Sequence, residues 1–356
     1  MSEQTVVVAA DALKSFCKDL FMTEGVPEEE ACITADVLVE ANLTGVDSHG
    51  VSRVAAYMER LRQGGNRRIA KVDVLKDFPA GATWDANGSL GQVVAWRAMR
   101  AAMEKARKVG VGFVAVRHNN HTGANAYYVR MAAEGGLIGL VAGNGPPMVA
   151  PWGSASPFFS TNPLSFGVPA GEEKPIVIDM ATSVSARGKI ILAAKNGKKI
   201  PLGWAVDEEG NDTKDPHAAL KGVLLPFGGH KGYAIALMVE VLAGLLSGAG
   251  YGPTMNEHYN RHDVPINSGN LFAAIDVSRF ISPEEFRSEA DGMTRSIRAG
   301  RVRPGFKEIL LPGEIESRTR DLRLREGIPL PEVVFRELED EGRRCGVKSP
   351  EPCIQA

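Results

Sequence analysis

Cysteine is scarce and unpatterned. Cys17, Cys32, Cys345 and Cys353 are the only four in 356 residues, with no CxxC pair and no histidine cluster at zinc spacing. That argues against a disulfide framework or a structural metal centre and predicts reduced thiols in a cytoplasmic protein. Charge is nearly cancelled, 41 Lys and Arg against 43 Asp and Glu, for a net charge of −2 without any block of one sign. Neither a nucleic-acid footprint nor a polybasic membrane surface is indicated. No apolar stretch reaches the roughly 20 residues of a membrane span; the best, Ala234 to Leu246, is interrupted by Glu240 and Gly244. Met1 to Ala10 has neither the basic lead nor the apolar run of a signal peptide. The fingerprint GxGxxG is missing as well: Gly143-Asn144-Gly145 runs into two prolines, and Gly110-Val111-Gly112 lacks the third glycine. Any dinucleotide would have to be held by something other than an ordinary Rossmann crossover.

What is present is apolar material, 44% of the chain, enough for two or three lobes. Leu13, Phe16, Cys17, Leu20 and Phe21 form a helical stripe ended by Gly25, and Pro27-Glu28-Glu29-Glu30 reads as the acidic first turn of a second helix. Strand texture over 71–85 gives way to a helix over 88–109. From Val111 onward, short apolar runs lie between glycine and proline: Val111 to Val116, Leu137 to Ala142, Leu164 to Val168, Pro175 to Asp179 and Asn270 to Val277. Such runs fit buried strands of one sheet, with a helix over 124–134 between the first two and a long apolar helix over 231–248 packed across them. Pro283 to Ala299 and Pro331 to Gly346 read as charged amphipathic helices. The expected division is a helical lobe from residues 1–70 plus about 280–356, a small α/β segment over 71–125, and a sheet domain over 126–279.

Chemistry is concentrated in Asp47-Ser48-His49-Gly50-Val51-Ser52-Arg53 and on to Tyr57. Asp47 and Ser48 are good N-cap residues, and Val51, Val54, Ala55, Met58 and Leu61 follow at helical spacing, so a helix is expected to start here. His49, Arg53 and Tyr57 would then stack on one face, each step turning about 40° past a full turn. Imidazole exchanges protons near neutral pH and guanidinium grips a carboxylate in two-pronged fashion, a pairing suited to a small hydroxy or keto acid. The ordinary alternative is a capped surface helix with solvated polar side chains.

Further motifs follow the strands. His118-Asn119-Asn120-His121-Thr122-Gly123 leaves the run ending at Val116, where His121 could face a site or be merely structural. Asp179 ends the strand Ile176-Val177-Ile178; a carboxylate there needs a histidine, backbone N–H groups or a ligand, unless it simply caps a helix running on from Ser185. Pro226-Phe227-Gly228-Gly229-His230-Lys231-Gly232 opens the long apolar helix, where backbone N–H groups and Lys231 could hold a phosphate. Leu311-Pro312-Gly313-Glu314 is a turn signature.

Together these segments resemble the type 2 malate/L-lactate dehydrogenase family, with its ureidoglycolate, diketogulonate, sulfolactate and cyclic-imine members. The resemblance runs from about Ala35 to Glu314 and rests on DSHGVSR with Tyr57, NNHTG at 119–123, PPMVAPWG at 146–153 and TNPLSFGVP at 161–169. It continues in IDMATSVSARGKI at 178–190, IPLGWAVDEEGNDTKDP at 200–216, LPFGGHKGYAIALMVEVLAGLLSGA at 225–249 and LPGE at 311–314. It implies an α/β fold with a non-Rossmann mixed, largely antiparallel sheet holding NAD(P), helical lobes from both chain ends, and a homodimer with shared active clefts. It implies interconversion of a small 2-hydroxy acid and its 2-oxo acid with NAD, or NADP, as cofactor.

By motif, His49 and Arg53 match the family's catalytic histidine and substrate arginine, and His121 matches a second histidine that acts as acid/base in some members. Asp179 would orient a ring or an imidazole. Gly145, Asp179, Met180, Ala181, Thr182, Lys231, Gly232, Pro312, Gly313 and Glu314 fall in cofactor-contacting segments, and no metal is implied. Two positions depart from the family pattern: Thr122 stands where an aromatic residue is common, and Ser160 where glycine is usual. A cyclic-imine or ketimine carboxylate reductase, and a non-catalytic carboxylate-binding protein on the same scaffold, are the alternatives.

Overall fold

The computed structural model describes residues 5–257 and 261–353. Residues 1–4 of the N-terminal stretch and 354–356 of the C-terminal lobe lie outside the described residues. The first core is built from both ends of the chain. Strand β1 (Thr5–Val8) pairs antiparallel with β11 (Ile328–Pro331). Helices α1 (Ala10–Thr23), α2 (Glu28–Leu43), α3 (Val54–Gln63) and α11 (Glu332–Cys345) pack around this ribbon. The stripe Leu13, Phe16, Cys17, Leu20 and Phe21 is buried there against Leu38, Met58 and Phe335, and each such large side chain contributes about 1.5–3 kcal/mol by leaving water.

The second core lies on a seven-stranded sheet of order β2-β3-β4-β10-β5-β6-β7. Its strands are β2 (Asp73–Phe78), β3 (Gly81–Asp85), β4 (Val111–Asn119), β5 (Leu137–Gly143), β6 (Leu164–Val168), β7 (Ile176–Met180) and β10 (Ser268–Asp276). Only the β3–β4 pairing is parallel; the rest are antiparallel, so the sheet is mixed and mostly antiparallel, as the family resemblance implied. Helices α4 (Gly91–Val109) and α5 (Ala126–Glu134) lie flush on one face. Two glycines permit that closeness: a Cβ at Gly112 would meet the Ala102 carbonyl at 2.0 Å, and one at Gly167 the Val129 carbonyl at 2.3 Å.

On the other side, α8 (His230–Glu240) and the π turn Val241–Leu245 replace the single long helix expected over 231–248. A smaller core there gathers α6 (Arg187–Lys195), α7 (Pro216–Lys221) and the short pair β8 (Ala205–Val206) and β9 (Val223–Leu224). Helices α9 (Pro283–Arg298) and α10 (Glu314–Glu326) complete the chain. No helix among the described residues is long and apolar enough to cross a membrane.

Candidate active site

The His49 segment is not the start of an α-helix. Two three-residue 3-10 turns, Asp47–His49 and Val51–Arg53, precede α3, and neither Asp47 nor Ser48 caps it. The break falls at Gly50, whose φ and ψ of −89° and −150° are extended. A Cβ there would lie 2.1 Å from Oδ1 of buried Asn42, and the Val51 N–H donates to that same oxygen at 2.8 Å. The chain therefore crosses directly over the Asn42 amide before the helix begins. One consequence is that His49 and Arg53 share a wall without sharing a helical face, while Tyr57 turns inward and is buried. Arg53 Nε donates to the Ser48 carbonyl at 2.8 Å, which fixes the guanidinium at that wall.

His121 comes to meet His49 from the opposite direction. The last residue but one of β4 is left-handed, His118 at φ 49°, and its Nδ1 is held 2.9 Å from Asp85. Asn120, buried, pins the next stretch by donating to the Gly65, Gly88 and Ser89 carbonyls. The second histidine is thus delivered to the cleft, its ring stacked on His49 at 5.5 Å and 27°. Tyr57 Oη lies 2.6 Å from its Nδ1, and the Gly123 N–H donates to the same nitrogen at 3.2 Å. An amide N–H can only donate, so Nδ1 is the acceptor and the neutral ring carries its proton on Nε2. Burial, and then the Arg53 charge, push the His49 pKa down to about 4, which keeps that half-buried imidazole neutral.

The facing wall comes from the ends of β5, β6 and β7. Asp179 accepts from Ser165 Oγ at 2.6 Å and from the Ala126 N–H at 2.7 Å, so it sits at the N-terminus of α5 and does not cap a helix from Ser185. Protein crowded around this carboxyl pushes its pKa up against the pull of Ser165 and the Ala126 and Asn125 backbone, though the open cleft still wets the residue. Gly145 packs on Ser160: a Cβ would approach its Oγ to 2.8 Å. Thr122, the other departure, is buried in the wall and donates to Asn125 Oδ1 at 3.0 Å.

A cleft of about 320 Å³ thus brings together His49, Arg53, His121, Gly145, Asp179 and Ala181. Met180 and Thr182 adjoin it, the latter turned inward onto the Thr161 carbonyl. Lys231 and Gly232 stand apart at the start of α8, which is tied to Thr182 through the Phe227 N–H at 3.0 Å. Pro312, Gly313 and Glu314 line a separate pocket of about 120 Å³ beside Ile176, with Glu314 paired to Arg318 and Arg298. Asn42 and Arg323 escaped sequence reasoning, as did the roles of Ser165 and Gly123 within their motifs, because their partners are distant in sequence or belong to the backbone. Glu240 could have been found, since it is the one acidic side chain in the apolar run Ala234 to Leu246. Among the described residues no group of three or more His, Cys, Asp or Glu side chains is placed to hold a metal ion.

Paired imidazoles beside a guanidinium, in a cleft of a mostly antiparallel sheet, are equipped to exchange a proton and to hold a carboxylate. The chain belongs to the malate/L-lactate dehydrogenase family, whose model matches residues 8–339. It is 41% identical to the L-sulfolactate dehydrogenase of Methanothermobacter thermautotrophicus over 90% of this chain and 92% of that protein. It is 39% identical to a malate dehydrogenase of Pyrococcus horikoshii over 98% of each. The solved sulfolactate dehydrogenase of Methanocaldococcus jannaschii superposes with a TM-score of 0.91 at 38% identity, covering 96% of this chain and 98% of that one.

Proposed function

We propose that the protein is an NAD(P)-dependent dehydrogenase that interconverts a small 2-hydroxy acid of the malate or lactate type and its 2-oxo acid. The observation that carries this reading is the convergence of His49, His121 and Arg53 on one cleft with Gly145, Asp179 and Ala181. A nicotinamide would lie against that wall, where the Ala181 side chain is small and Asp179 supplies an acceptor for an amide. When bound, the cofactor supplies or takes up the hydride at C2 of the acid.

The chain's own groups do the rest. Arg53 takes the carboxylate in a two-pronged contact and sets C2 at the cleft floor. His121 presents Nε2 to the substrate oxygen because Nδ1 is engaged by Gly123 and Tyr57; charged to imidazolium by a solvent proton, it gives the Nε2 proton to the carbonyl oxygen in reduction, and the neutral ring takes the hydroxyl proton in oxidation and returns it to solvent. His49, held neutral, stacks on that ring and flanks the reacting oxygen without adding charge. Lys231 with the α8 N-terminus, and Pro312 to Glu314, would hold the remainder of the cofactor. The apolar side chains Leu237, Met238, Val241, Leu245 and Leu246 are 43–58% exposed along α8 and the π turn, a face a second copy would cover in a homodimer. The four free thiols suit a cytoplasmic setting.

The test is a panel of 2-oxo acids offered with NADH or NADPH, with and without amine, followed by loss of reduced-nicotinamide absorbance. Turnover of 2-oxo acids without amine is expected. Turnover only of imines would make the protein an imine reductase, and a ligand-induced melting shift without any turnover would make it a carboxylate-binding protein.

A further inference from the structure

We propose that Arg323, acting with Asn42, is a positioning residue for His49: it fixes the Asp47–His49 turn from outside the cleft and thereby sets the stack on His121. This rests on the dehydrogenase reading above, in which that stack borders the reacting oxygen.

The direction of the His49 ring is a backbone matter. Besides its stack on His121, the ring has the neighbouring Ser48 Oγ 3.0 Å from its Nδ1, a local contact that moves with the turn itself. What immobilises the turn lies on either side of it. Upstream, the Asp47 carboxylate accepts from Asn42 Nδ2 at 2.6 Å and from Arg323 Nη1 and Nη2 at 2.7 and 3.2 Å, a two-pronged guanidinium contact. Downstream, the Val51 N–H donates to Asn42 Oδ1, and Gly50 lacks a side chain where that amide passes. Arg323 closes the loop by also donating to the Asn42 carbonyl. One guanidinium and one amide therefore clamp the chain two residues before and two residues after His49.

The helix that carries the clamp is unusual in what holds it. None of the 13 residues of α10 is buried, while Ile315, Leu322 and Leu324 are exposed. Its charged side chains tie it to the rest of the chain: Glu314 to Arg298 at 3.5 Å, Arg318 to Glu308, Arg320 to Glu40 at 2.8 Å, Lys174 to Asp321 at 3.4 Å, and Arg323 to Asp47. A helix with no core residue contributes little to global stability, so its persistence is not explained by packing. The Arg323 pair is the best shielded on the arginine side, 15% exposed, and it ends on the turn that bears His49. The same helix begins at Gly313 and Glu314, so one rigid element joins that pocket to the His49 turn.

The experiment compares wild type with Arg323→Met and Arg323→Ala in steady-state kinetics and thermal melting. A small displacement of a reacting group costs up to roughly 100-fold in rate, so kcat is expected to fall by roughly 10- to 100-fold. The KM for reduced cofactor and the melting temperature should stay close to wild type, and guanidinium ion should restore part of the activity of Arg323→Ala. Wild-type kcat in both variants overturns the proposal, as does a kcat loss that tracks a lowered melting temperature and resists rescue. If wild type turns over no acid at all, the dehydrogenase reading fails on its own, and the histidine NMR signal absent from His49→Gln decides the positioning. That signal should shift or broaden in Arg323→Ala and recover with guanidinium; an unmoved signal overturns the clamp.

Discussion

Tyr57 and His121 are 64 residues apart in the chain, and the phenol oxygen of one lies 2.6 Å from Nδ1 of the other. This contact joins the terminal helical core to the loop leaving β4, and with the Gly123 N–H it determines which imidazole nitrogen carries the proton. Tyr57→Phe removes a hydroxyl without disturbing the buried ring. A single neutral hydrogen bond is worth about 1 kcal/mol, so kcat should fall roughly five-fold with little change in the KM for the acid. Unaltered kcat and an unaltered pH profile would reduce the phenol to packing.

Arg53 and His49 share a wall but are expected to fail differently. Loss of a charge-assisted contact of about 1.5–3 kcal/mol raises the KM for the acid in Arg53→Ala by roughly 10- to 150-fold. His49→Ala should lose turnover and still bind reduced cofactor, read by fluorescence titration. Near-normal turnover in both variants would reject the assignment of this cleft.

The neutrality of His49 has a cost in acid. Its folded pKa of about 4 lies below the ordinary 6.5, so between those values the unfolded chain binds more protons than the folded one. Stability from this group is complete above pH 6.5 and is lost progressively as pH falls toward 4. His49→Gln should therefore lose less melting temperature than wild type over that window. Parallel melting curves for the two proteins would contradict the shift.

Much of the fold was legible because its strands advertise themselves. β4, β5, β6, β7 and β10 are short apolar runs bounded by glycine, proline or asparagine, and all five pair in one sheet. α10 was invisible beyond the turn at Pro312 because none of its residues is buried and a helix without an apolar face has no periodicity to read. The break at Gly50 was equally hidden, since its cause is the side chain of Asn42 in the preceding helix. Tyr57 was picked out for its spacing from His49 and Arg53, yet it matters through a partner on another element. Sequence patterns report burial along one segment; they do not report which distant donor a carboxylate or imidazole meets.

Glu240 illustrates that gap and yields the last prediction. Seen in sequence it only interrupts an apolar run; in the fold it is 3% exposed at the junction of α8 and the π turn. Its carboxylate accepts from Asn162 Nδ2 at 2.7 Å, Asn144 Nδ2 at 3.1 Å and the Gly252 N–H at 3.1 Å. The amide orientations are not free: Asn144 Oδ1 accepts the Gly269 N–H, and Asn162 Nδ2 also donates to the Ala236 carbonyl. Burial pushes the Glu240 carboxyl upward, and these donors pull it back. All three partners are donors, so only a carboxylate satisfies them, and it thereby ties the segments bearing Gly145 and Thr161, which line the cleft, to α8. In Glu240→Gln the amide NH2 must face a donor, and in Glu240→Ala all three donors lose the oxygen. Each variant should lose at least about 1–3 kcal/mol of stability and raise the KM for cofactor more than that for the acid. A Glu240→Gln protein that melts like wild type would show that the carboxylate is replaceable and that something else fastens the strand ends.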